Sequence, residues 1–175
     1  MKLKYKICFL VALLLTITSW LISISFWDKL PAVIPVHFGI TGAADGWAEK
    51  SFLYVFLIPM LQTFVTALFI VLYYKPQYTN MPSTMWLMTL DKSHREHAFS
   101  LIRSMMAGTI ITVGVLFTYM AYGMNIAALD KNAGLSPVVM VIILVAMFVW
   151  IIIWSIKIYK ETKLFIKRVN KKEDK

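Results

Sequence analysis

Apolar and polar positions alternate along this chain on the scale of whole segments. Four long apolar runs, residues 7–27, 52–74, about 105–129 and 138–156, contain no charged residue and are separated by three polar stretches. Each run approaches or exceeds the roughly 20 residues that a helix needs to cross a bilayer core of about 30 Å. The pattern predicts an all-α integral membrane protein with four transmembrane helices and one ordered external loop between helices 1 and 2. The first run follows Lys2, Lys4 and Lys6 like a signal peptide, but Ser25, Phe26, Trp27 and Asp28 stand where a small-x-small cleavage site belongs. A retained anchor is therefore expected.

Composition agrees with this reading. The chain has 175 residues, of which 59% are apolar and 15% charged, with a mean hydropathy of +0.71. These values exclude an ordinary soluble domain, and the length leaves no room for one beside four spans. The chain divides into a helix–loop–helix module at 1–74, a cytoplasmic loop with a second helical pair at 75–160, and a basic tail at 161–175. The single cysteine, Cys8, cannot form an intramolecular disulfide and is expected to behave as a small hydrophobe.

Charge sets the expected orientation. Fifteen of the eighteen Lys and Arg fall before the first run, between the second and third, or after the fourth; only Lys29, Lys50 and Lys131 lie in the other two loops. The positive-inside rule then places both termini and the middle loop in the cytoplasm. The net charge of +9 follows from this topology beside an anionic leaflet. A nucleic-acid role for the tail at 157–175 is the sharper alternative, but a solvated juxtamembrane basic stretch explains it without such a partner.

The spans carry no acid, base or histidine at mid-depth, which argues against a proton pump or ion-coupled carrier. Thr16, Ser19 and Ser23 share a face of the first helix, and Pro59, Gln62 and Thr66 a face of the second. They suit either interhelical hydrogen bonds or a small binding site. Ala107, Gly114, Thr118 and Ala121 form a small-residue seam on the third helix. The fourth, ending in Trp154, Tyr159 and lysines, is expected to face lipid broadly. In the middle loop, Met85-Trp86-Leu87-Met88 reads as a headgroup-level patch. Ser93 and Glu96 fit a capping box that starts the third helix. His94 and His97, one turn apart, are better read as solvated than as a zinc site. The third loop, 130–137, reads as a turn between helices with no function of its own.

The first loop concentrates the chemistry. Pro31 and Pro35 bias the preceding residues towards extended geometry, and Gly42 and Asp45-Gly46 supply turn conformations, so a short extended segment followed by a turn is expected. Val33, Ile34, Val36, Phe38 and Trp47 are expected to pin the loop to the bundle mouth, with His37 and Asp45 facing a small external cavity. The stretch Ile34-Pro35-Val36-His37-Phe38, then Gly42, Asp45-Gly46-Trp47 and Lys50, resembles a bacterial membrane module of unknown function marked by IPxHF, G, DxW and K, as in SdpI-type immunity proteins. The resemblance covers about residues 7–74. It implies a multi-pass protein of the bacterial cell membrane that protects a Gram-positive cell against a secreted membrane-active peptide, in some relatives by sequestering a repressor.

Three functions compete for this loop. In the first it binds a peptide toxin or other envelope ligand, with Phe38 and Trp47 as apolar contacts and His37, Asp45 and Lys50 as polar ones. In the second, His37, Asp45 and Glu49 form a metal or acid–base site, Asp45 and Glu49 being one helical turn apart; no nucleophile motif or second histidine supports it. In the third the loop is a plug, and the protein is a structural or accessory subunit of a membrane transport or envelope complex. The expectation is a non-enzyme with no cofactor, no metal and no nucleic-acid partner, whose partners are the bilayer, an envelope ligand and a membrane or regulatory protein.

Overall fold

The structure is a computed structural model that describes residues 3–79, 92–130 and 133–173, with the side chains of 92–94, 162 and 165–173 outside that description. Within hydrocarbon every backbone N–H and C=O must find its partner inside its own segment, so each apolar run becomes a helix. The helices are α1 Leu3–Phe26, α2 Phe52–Tyr74, α3 Lys92–Leu129 and α4 Pro137–Glu173. Among the described residues these four are long and apolar enough to cross a membrane. Short 3₁₀ turns follow α1 at Trp27–Lys29 and α2 at Pro76–Tyr78. The second run coincides with α2, whereas α3 and α4 extend well beyond the apolar runs into polar sequence. Helix α3 starts at Lys92, so Ser93 lies inside the helix rather than at its cap. The Met85–Met88 patch lies outside the described residues.

The all-helical expectation needs one correction. Between α1 and α2 the chain forms an antiparallel β-hairpin, β1 Val33–Phe38 and β2 Ala44–Glu49. Val, Ile and Phe in β1 favour a pleated backbone. The expected extended segment is there, but Asp45-Gly46 belongs to β2 and not to the turn, which is built from Gly39 to Gly42.

Helices α1, α2 and α3 pack around a polar seam. Gln62 Nε2 donates to Gly114 O and Thr118 Oγ1, both at 3.3 Å. The Thr118 hydroxyl lies 3.1 Å from Leu15 O on α1, and Thr16 and Thr66 hydroxyls meet at 3.2 Å. Both polar faces read from the sequence are therefore buried, meeting each other at Thr16 and Thr66 while Gln62 turns to α3. Gly114 permits the approach, since a β-carbon there would stand 3.1 Å from Leu15. Such bonds contribute about 1 kcal/mol each in a membrane bundle. Asn125, fully buried further along α3, extends the seam.

Helix α4 differs from the others. It packs on α3, and none of the residues from Pro137 to Lys157 is buried. Ile158 is its buried anchor, joining Ala98, Phe99, Ile102 and Met106 of α3.

Candidate functional site

The hairpin is seated on the bundle end where α1 finishes and α2 begins. Leu30 and Ile34 are buried with Val55 and Phe56 of α2 and Ala128 of α3. The rings of Trp20 and Trp27 stack on Phe56 at 5.5 and 5.6 Å. Ser51 caps α2, its hydroxyl accepting from the Tyr54 N–H at 3.3 Å, which fixes the exit from β2. Trp20 Nε1 donates to Thr63 Oγ1 at 2.9 Å. Neither this tie nor Leu30 stood out in the sequence.

Two further contacts hold the hairpin. Lys50 turns inward: its Nζ donates to Trp27 O at 3.3 Å and Leu30 O at 3.2 Å, and lies 5.2 Å from the Trp27 ring centroid. It satisfies carbonyls left over at the end of α1, a place where a cation is favoured. At the tip, Gly42 has φ +79°, and its carbonyl accepts from Leu135 N at 3.0 Å. A β-carbon on Gly42 would stand 1.8 Å from Leu135 O, and one on Gly134 would stand 2.3 Å from Gly42 O. The loop before α4, expected to be a simple turn, is thus the clasp for the hairpin tip.

The register creates the polar pair. Val33 faces Glu49, Ile34 faces Ala48 and Pro35 faces Trp47; then His37 faces Gly46 and Phe38 faces Ala44. Val36 on β1 and Asp45 on β2 are each skipped, so two compensating bulges restore the pairing by Phe38. Residues that stand opposite one another across an antiparallel pair share a face. The register of Val33, Ile34, Pro35 and Phe38 sets Asp45 opposite His37, and despite the bulges Asp45 Oδ1 lies 2.5 Å from His37 Nδ1. Gly46 allows the approach, because a β-carbon there would stand 2.7 Å from His37 Cβ. With Nδ1 engaged by the carboxylate, Nε2 is the ring nitrogen left for another group.

The pair lies in the open and not in the expected cavity: His37 and Asp45 side chains are 72% and 53% exposed. The expected apolar pins divide. Ile34 is buried and Phe38 half-buried, while Val33, Val36 and Trp47 are exposed. Pro31, Val33, Trp47 and Ala128 line a cleft of about 480 Å³ beside the hairpin, and Pro35 is buried within β1. Asp45 and Glu49 sit on a strand and not on a helical turn, which separates them by about 13 Å at roughly 3.3 Å per residue. Among the described residues no three His, Cys, Asp or Glu side chains converge on a metal position.

The opposite end is also polar. Tyr5 OH meets Ser104 Oγ at 2.7 Å. Arg103 donates from Nε to Tyr73 O and from Nη1 to Glu96 Oε2, at 3.2 and 3.3 Å. His97 Nε2 lies 3.9 Å from Glu161 Oε2, so it is engaged with α4; the His94 side chain lies outside the described residues.

A family model described as Domain of unknown function (DUF1648) matches residues 14–63. That span holds the second half of α1, the whole hairpin and the first half of α2. No curated protein and no solved structure matches the chain.

Proposed function

We propose that this protein is an SdpI-like immunity or sensing protein of a bacterial cell membrane that engages an envelope-active peptide through its hairpin. The observation that carries this reading is the exposed His37–Asp45 pair on a hairpin locked to its bundle at both tip and base. A structural plug gains nothing from an imidazole and a carboxylate held together in solvent, whereas a recognition surface needs such groups preorganised. Three features offer complementary contacts. Nε2 of His37 offers a hydrogen-bonding position, Asp45 attracts a cationic peptide group, and the cleft beside Trp47 takes an apolar side chain. Because β2 is an edge strand, an extended peptide can add to it through backbone hydrogen bonds.

The excess of Lys and Arg at the end opposite the hairpin supports an orientation with the termini and basic tail in the cytoplasm and the hairpin outside. The tail and the start of α3 are then available to a cytoplasmic regulator. A second reading, an accessory subunit of a membrane complex, is favoured by the unburied apolar face of α4.

The test is survival of a sensitive Gram-positive strain challenged with secreted membrane-active peptides. Empty vector, wild type and the double variant H37A/D45A are compared at matched membrane abundance. Protection by wild type alone is expected. Equal protection by the double variant, or none by wild type, overturns the reading in favour of the accessory subunit.

A further inference from the structure

On the flank of the bundle away from α2, helices α1 and α4 both pack on α3 without closing on each other, and a groove of about 510 Å³ lies between them. Its volume is in the range of small-molecule sites, about 300–1,000 Å³. Its walls are apolar: Cys8 from α1, Ala107, Gly108 and Ile111 from α3, Ala146 and Trp150 from α4. Small side chains at three of these positions make the space. Gly108 is essential to it, because a β-carbon there would stand 2.2 Å from the Trp150 ring. Trp150 is held over that glycine by donating Nε1 to Met105 O at 2.9 Å.

Along α3 the groove runs from Ser104 to Thr112 and along α4 from Trp154 to Ala146. At about 1.5 Å per residue each wall is about 12 Å long, close to the roughly 15 Å depth of one leaflet's hydrocarbon. Only one end is charged. Lys4 lines the mouth with its Nζ 4.8 Å from the Tyr5 ring centroid, and Lys157 holds its Nζ 4.8 Å from the ring of Trp154, which also lines the mouth. Among the described residues no acidic side chain lines the groove.

We infer that this groove is a binding site for an anionic phospholipid, with one acyl chain between α1 and α4 and the phosphate between Lys4 and Lys157. An apolar slot of leaflet depth fits a hydrocarbon chain, and paired lysines at its interfacial mouth select against a zwitterionic headgroup. The site is separate from the hairpin, at the other end of the bundle.

The experiment uses the full chain in mild detergent, offered equal amounts of phosphatidylglycerol and phosphatidylcholine with identical acyl chains, with bound lipid counted by native mass spectrometry. Wild type is expected to retain one phosphatidylglycerol with about tenfold preference. The variant K4A/K157A, altered only at exposed positions, should lose that preference. Ala146→Trp, which fills the groove from α4, should lower retention of both lipids while the thermal transition confirms folding. As a second readout, the single cysteine, Cys8, should react with a maleimide several-fold more slowly in phosphatidylglycerol nanodiscs than in phosphatidylcholine ones. Equal retention of the two lipids by wild type, a preference that survives K4A/K157A, or a dimer whose second copy fills the groove would each overturn the inference.

Discussion

The two ends of the bundle are both polar, yet they are held by different kinds of contact. At the hairpin end the decisive contacts are made to backbone: Gly42 against Gly134 and Leu135, and Lys50 against the carbonyls of Trp27 and Leu30. At the opposite end side chains meet one another as well as backbone, Tyr5 with Ser104 and Ser100 O, Arg103 with Glu96 and Tyr73 O, and among the described residues no glycine there is locked against facing backbone. Backbone cannot move aside or be exchanged for a different group, so the first arrangement fixes a geometry. Side-chain pairs tolerate substitution and re-form in other rotamers. A surface that must present His37 and Asp45 in one orientation needs the first kind.

This contrast is most directly broken at Gly42. Gly42→Ala puts a methyl group into Leu135 O at a positive φ, and is expected to cost about 3 kcal/mol. Thermal unfolding in detergent should fall, and amides 33–49 should exchange faster while the far end keeps its protection. An unchanged transition would show that the clasp is not tight. Lys50→Met removes two charge-assisted bonds and the contact with the Trp27 ring, with an expected loss of about 1.5 kcal/mol confined to the hairpin end. Hydrogen exchange read by mass spectrometry separates this local loosening from global unfolding. The smallest effect belongs to the opposite end, where Tyr5→Phe should lower stability by about 1 kcal/mol or less and leave hairpin exchange untouched. A larger effect there than at Lys50 would reverse the ranking.

Much of the fold could be read from the chain because a bilayer leaves few options: an apolar run with no charge becomes a helix, and hydropathy locates it. That Thr16, Ser19 and Ser23 are buried together, and Gln62 and Thr66 likewise, also followed, since helical spacing puts each set on one face. Polar extensions of α3 and α4 did not follow, because hydropathy detects the membrane and not the helix. The hairpin was only half visible. Val33 to Phe38 read as extended, but the second strand and the register that sets Asp45 beside His37 depend on pairing between strands, which one apolar stretch does not reveal. Glycine marked the tip of the loop, whereas its partner Leu135 lies far away in sequence with no periodicity to connect them. Lys50 illustrates the same limit: it reads as a polar contact for an external ligand until its bonds to the carbonyls of Trp27 and Leu30 are seen.

The clasp on Gly42 also orders events during synthesis. Residues 14–63 contain the hairpin and most of its platform, but Gly134 and Leu135 emerge only after α3 has been made. Until then the tip is held by its own turn alone. Contacts of such sequence separation form late. The latch therefore closes last: a chain that stops before Gly134 and Leu135 carries the same hairpin sequence without the groups that lock its tip.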